Sequence, residues 1–240
     1  MRFTPLLVGA MFSLFTTGLA EAGMVEDLTE VAGETAPEAD RMERFNAMVA
    51  TAGTNVDQLS SAASNTDLDH RVRWVAIRVM GQSQDSTFVE TIERLCDDES
   101  PVIRIAAISG LADLTPTTAT NRVSLALRDP AIVVRGAAAD TLAILGDIRA
   151  IDELETALAD RSNWYRGQSL WVRPRIVLAL GATESPMALP ALSRALSDED
   201  PDVVDAALQA LRRVKGFDFA EGRSRDEHIQ AWQRWIPANL

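Results

Sequence analysis

Three arginines set the scale of this chain. Arg73, Arg104 and Arg135, in VRW, IRI and VRG, stand 31 residues apart. Arg173, in VRP, follows after 38, one period plus seven, and Asp205, in VVD, follows after a further 32. A period of this length means supersecondary units that stack, because no unit buries its own apolar face alone. The clearest copy runs from Asp129 to Leu158. Asp129 is expected to N-cap a first helix with Pro130 at its first position. Val134, Ala137, Ala138, Leu142 and Leu145 then recur at helical spacing. Gly146 supplies a left-handed stop, and Asp147 caps a second helix through Ile151, Leu154 and Leu158. Second-helix anchors keep the register at Ile92/Leu95, Val123/Leu127, Leu154/Leu158 and Leu192/Leu196. The chain is therefore expected to be an all-α solenoid of antiparallel helix pairs.

A second ladder accompanies the arginines. Asp67, Asp98 and Asp129 each stand six residues before Arg73, Arg104 and Arg135, and Asp160 stands six before Arg173 once the seven extra residues are removed. Each Asp falls at a turn and each Arg about one turn into the next helix, a spacing suited to tying turns of adjacent units together. We read these eight residues as structural. The last unit carries Asp205 in the arginine's position, where no further repeat follows.

The pattern D-x(5)-R, with V-R-x-A-A-x-x-x-L and G-D before the second helix, resembles HEAT repeats, and most closely the short HEAT-like class of the phycobilisome lyases. The resemblance covers about residues 55 to 218. It implies a right-handed superhelix of about six stacked helix pairs. It leaves the function open, since such repeats serve many roles.

The flanks read differently. Residues 1–20 combine Arg2, an apolar run from Leu6 to Leu19 and a Gly18-x-Ala20 site, the pattern of a cleaved signal peptide. Residues 21–37 are expected to be an acidic linker, because Glu21 to Asp40 holds seven acids and no base. Residues 38–66 are expected to form an N-terminal capping helix pair, with Met42, Phe45, Met48 and Val49 on one face. The repeats then run over 67–218. Residues 219–240 are expected to end the array in a capping helix, with Ile229, Trp232, Trp235 and Ile236 at helical spacing.

Composition excludes several functions. A net charge of −12 leaves no basic surface for a phosphate backbone. One cysteine, Cys96, and two histidines, His70 and His228, leave no disulfide framework and little metal chemistry. No phosphate loop, dinucleotide fingerprint, nucleophile elbow or zinc helix occurs. Asp198, Asp200 and Asp202 begin like a calcium loop, but Val203 stands where glycine is needed and Gln209 where a bidentate Glu is needed. The repeated His-Glu pairs of the HEAT-like deoxyhypusine hydroxylases are also missing. Neither catalytic, cofactor-binding nor metal-binding residues are expected.

The insertion, residues 161–171 (RSNWYRGQSLW), has no repeat duty. It puts Trp164, Tyr165 and Arg166, residue types enriched at interface hot spots, into a loop on a rigid scaffold. Trp171, beside the helix start, is expected to be the more buried tryptophan. The second helices offer Glu90, Glu93, Asp152, Glu153 and Glu155 as an acidic surface favouring a basic partner segment. The expectation is an exported protein, periplasmic or secreted, monomeric, without catalytic activity, with no membrane span after cleavage. It serves as a scaffold that binds another protein through Trp164, Tyr165, Arg166 and these acids. The alternative is a bilin-lyase-like enzyme or a chromophore or cofactor carrier.

Overall fold

The computed structural model describes residues 23–220 and 223–239. The predicted signal peptide and its cleavage site lie outside the described residues. Residues 23–32 form α1, followed by α2 (Glu38–Thr51), α3 (Val56–Ser64), α4 (His70–Gln82), α5 (Val89–Leu95) and α6 (Pro101–Leu114). Then come α7 (Ala119–Leu125), α8 (Ile132–Leu145), α9 (Ile151–Ala159), α10 (Val172–Ala182), α11 (Leu189–Ala195), α12 (Pro201–Lys215) and α13 (Arg225–Trp235). The sole sheet among the described residues is a two-stranded hairpin of β1 (Trp164–Tyr165) and β2 (Gln168–Ser169). The architecture is an all-α repeat fold. No helix among the described residues is long and apolar enough to cross a membrane. The chain divides into two compact units, Met1–Leu114 and Thr115–Leu240.

In the first unit, α4 lies against α3 and α6, and α5 against α6. A Cβ on Gly81 would lie 2.7 Å from the Gly110 Cα, so two glycines let α4 and α6 cross backbone to backbone. Ile77, Met80, Phe88, Ile92, Ile103 and Ile108 fill the space around that crossing at 0–1% exposure, and Cys96 is a buried core thiol. The acidic segment is not a linker. Met24, Leu28 and Val31 recur at helical spacing within it, and Leu28 is fully buried. Its acids are solvated partners rather than breakers: Arg44 of α2 reaches Asp27 at 3.3 Å and Glu30 at 2.9 Å.

In the second unit, α10 packs between α8 and α12. The copy at 129–158 differs from expectation at its start. Asp129 Oδ1 accepts from the Ala131 N–H at 2.8 Å, and α8 begins at Ile132, after Pro130. Gly146 takes the left-handed stop at φ 61°. The same left-handed position is filled by Gln84 and Glu184 in the sister units. The next residue caps a 3-10 turn that leads into the second helix: Asp85, Asp147 and Ser185 accept from the N–H groups of Thr87, Arg149 and Met187. The C-terminal lid is broader than the sequence suggested. Trp232 and Ile236 are fully buried, and Phe217 stacks on Trp232 at 5.4 Å with Phe219 edge-on at 4.8 Å. His228 Nε2 lies 2.5 Å from Asp218 Oδ1 and 3.1 Å from Trp232 Nε1, inside this cluster.

Candidate functional site

The ladder positions everything near the insertion. From Asp98 on, each turn aspartate accepts the N–H two residues on: Asp98 from Ser100, Asp129 from Ala131, Asp160 from Ser162 and Asp198 from Asp200; in the first turn Asn65 and Asp69 do so, from Asp67 and Arg71. Each arginine then binds locally and, where the unit continues, forward. Arg104 and Arg135 donate to the Asp98 and Asp129 carbonyls, both at 2.8 Å. Arg73 donates backward to the Ala63 carbonyl and forward to Asp98 Oδ2 at 2.5 Å. Arg173 reaches both Asp198 oxygens, at 3.0 and 2.6 Å. The carboxylate partner is thus 25 residues downstream, not six upstream. Asp67 and Asp160 make no ion pair with Arg73 and Arg173, and Asp198 belongs to the ladder although its spacing did not mark it. Burial pushes the Asp98 and Asp198 carboxyls up, but the arginine hydrogen bonds, the turn N–H and the arginine charge outweigh it and hold both below the usual carboxylate range.

The insertion is a hairpin rather than a loop. At its neck the ladder acceptor is an amide: Asn163, fully buried, accepts from Arg135 Nε at 2.8 Å and donates to the Ala157 carbonyl at 2.8 Å. The strands pair Trp164 with Ser169 and Tyr165 with Gln168. Arg166 and Gly167 make the turn at φ 49° and 79°, the double positive that a two-residue hairpin needs. Arg-Gly at that position was the missed signal.

Arg173 also carries the hairpin. Its guanidinium lies 4.0 Å from the centre of the Trp164 ring, and its Nη1 donates to Ser169 Oγ at 3.1 Å. Trp164 is half-buried. Trp171 is the more exposed of the two, at 45%, contrary to expectation. Its ring lies edge-on against Gly136, where a Cβ would come within 2.3 Å, and the Arg175 guanidinium lies 4.8 Å over its centre. The helix start leaves Trp171 outside the α10 core, and only the missing side chain at Gly136 gives it a seat. Tyr165, 59% exposed, stands at the tip with Arg166 5.2 Å over its ring.

Between the hairpin and the start of α12 lies a cleft of about 460 Å³. Trp164, Trp171 and Pro174 form one wall, Glu199, Asp200 and Asp202 the other. The neighbouring cations are already matched, Arg173 by Asp198 and Arg175 by Asp140. The side chains of Glu199 and Asp202 make no ion pair among the described residues. The sequence offered Asp198, Asp200 and Asp202 only as a calcium loop that fails; in the structure Asp200 caps α12 through the Asp202 N–H. Their meeting with the tryptophans depends on the next unit's turn lying beside the insertion. No group of three or more His, Cys, Asp or Glu among the described residues is placed to hold a metal ion.

The second-helix acids divide. Glu153 pairs with Arg128, and Glu155 with Arg194 at 2.8 Å, so these two are neutralised. Glu90, Glu93 and Asp152 are exposed and make no ion pair among the described residues.

Stacked helix pairs tied by an arginine at each turn define an all-α repeat protein. The chain belongs to the HEAT-repeat family, whose model matches residues 56–123, 92–172 and 167–221. No curated protein matches it in sequence. Among solved structures it is similar to the complex of CpcE and CpcF of phycocyanin lyase from Nostoc sp. PCC7120, at 22% identity and TM-score 0.55 over 67% of this chain. The chain spans 65% of that structure's chain. Human deoxyhypusine hydroxylase in complex with glycerol aligns over 84% of this chain and 99% of its own, at 14% identity and TM-score 0.42. The expectation of a non-enzyme is corrected by the first likeness: this fold is one on which a lyase is built. The missing nucleotide, nucleophile-elbow and zinc motifs do not exclude catalysis.

Proposed function

We propose that this HEAT-repeat chain is an exported, monomeric scaffold whose hairpin cleft binds a basic segment of a protein partner. One observation carries the reading: two tryptophans line the same cleft as Glu199 and Asp202, which make no ion pair among the described residues. A lysine or arginine entering it meets aromatic surface on one side and uncompensated acid on the other. Tyr165 and Arg166 at the tip extend the contact, and the exposed Asp152 of the same unit adds acidic surface. The aromatic lid over the C-terminal end supports a monomer. Export rests on the leader pattern of residues 1–20, and the intact mass of the native protein, with a mature start near Glu21, tests it.

The binding test is a titration of the mature protein with a fluorescein-labelled oligo-arginine peptide at physiological salt. Glu199→Gln with Asp202→Asn is expected to weaken binding at least about tenfold, the loss of two charge-assisted contacts. Unchanged affinity in that variant refutes the cleft as the site. The likeness to phycocyanin lyase favours a second reading, a bilin-handling lyase or carrier. A visible absorption band that follows the native protein through gel filtration would support it.

A further inference from the structure

The first unit holds a second cavity, unrelated to the hairpin. It measures about 330 Å³ and lies between α2 and α4 beside α1. Its walls are apolar and aromatic: Met42 and Phe45 from α2, Trp74 and Val75 from α4, and Val31 from α1. Met42 is 53% exposed and Trp74 39%, large apolar surfaces left open at its mouth. Two guanidiniums enter this apolar frame. Arg78 lies 5.5 Å over the Trp74 ring and has no carboxylate partner among the described residues. Arg41 donates from Nη1 to the Gly33 carbonyl at 2.9 Å, but its Nε is buried without an acceptor. A buried donor left unpaired in a folded protein calls for an explanation, and a ligand oxygen is one. Against these two cations the cavity has a single acid, Glu38, exposed in the first turn of α2. Val31, Arg41, Trp74 and Val75 also line an adjoining cavity of about 380 Å³, where Ala32 and Val102 add apolar surface and Glu34 is paired with Arg71.

We propose that this cavity binds an elongated apolar molecule ending in a carboxylate, of the medium-chain fatty-acid class, with the carboxylate on Arg41 and Arg78. The apolar walls take the chain, and the two guanidiniums select the anion, since a guanidinium offers donors in a fixed fork that matches a carboxylate. The volume falls in the range of small-molecule sites.

The test uses the full chain and two probes, dansyl-undecanoate and its methyl ester, followed by dansyl fluorescence. The wild-type protein is expected to bind the acid saturably and at least about tenfold tighter than the ester, the size of one good charge-assisted contact. Arg78→Gln and Arg41→Gln are each expected to reduce that preference, with the ester's affinity unchanged. Absence of saturable binding, equal affinity for acid and ester, or a wild-type preference retained by both variants overturns the proposal. The acid–ester comparison is made on the wild-type protein and so decides the matter even if a variant fails to fold.

Discussion

Replacing Arg173 with Met tests the ladder and the hairpin at once. The arginine side chain is 5% exposed and its partner Asp198 15%. Removing one member of a buried pair costs about 3–5 kcal/mol, because the other charge is left uncompensated. Asp198 keeps its bond from the Asp200 N–H and some access to water, which puts this contribution near the lower end. The stack on Trp164 adds about 0.5–2 kcal/mol. The expected loss is therefore about 3–5 kcal/mol in equilibrium urea unfolding. Arg175→Met is the control, since its pair with Asp140 is 46% and 49% exposed and is worth at most about 1 kcal/mol, and its stack on the exposed Trp171 ring adds about 0.5–1 kcal/mol. A double-mutant cycle of Arg173→Met with Asp198→Asn should give a coupling above about 1 kcal/mol. If Arg173→Met costs no more than the control, or the coupling is zero, the ladder does not hold the units as described.

Acid should weaken the same bonds. The folded-state pKa values of Asp98 and Asp198 are depressed, so their stabilisation is present above the unfolded value of about 4 and is lost as pH falls below it; wild-type stability should drop over that window more steeply than that of Asp198→Asn in urea melts. Gly136→Val should drive Trp171 from its seat and red-shift its emission, and an unchanged spectrum in a variant that alters only this contact would refute the packing. Trp164→Ala should lower the urea midpoint through the lost Arg173 stack, whereas Tyr165→Ala should leave it within about 0.5 kcal/mol of wild type and weaken partner binding instead.

What was legible in the sequence was whatever the repeat says more than once. The arginine period and the helix pairs are stated in several copies, so noise in one copy is corrected by another, while the left-handed stop was legible only where it is a glycine, at Gly146. What appears once was misread. The helix at 23–32 is hidden because its acids dominate the composition while its apolar stripe is only Met24, Leu28 and Val31. The hairpin was read as a loop because Arg166, a residue that pays for a positive φ, stands where Asn or Gly would announce the turn. The cleft could not be read at all. Its two walls are about 30 residues apart in sequence, and only the register of successive turns brings Glu199 and Asp202 to Trp164 and Trp171. The ladder's partners were misassigned for a similar reason: spacing within a unit is visible in a sequence, and contact between units is not.

The direction of the arginine bonds constrains how such an array can lengthen. Within the first unit Arg73 holds the downstream Asp98, and within the second Arg135 and Arg173 hold Asn163 and Asp198 downstream. At the last repeat the sign reverses: Asp205 occupies the arginine's place, and Arg225 of α13 reaches back to it at 2.7 Å. A repeat inside a unit thus carries a receptor on one side and a donor on the other, so a duplicated copy would find both of its bonds there. The last repeat has only the receptor, so a copy appended after it would find nothing to hold. Loss of α13 would free an exposed carboxylate at Asp205 and bare the aromatic cluster around Trp232, whereas loss of the turn carrying Asp198 would strand a buried guanidinium.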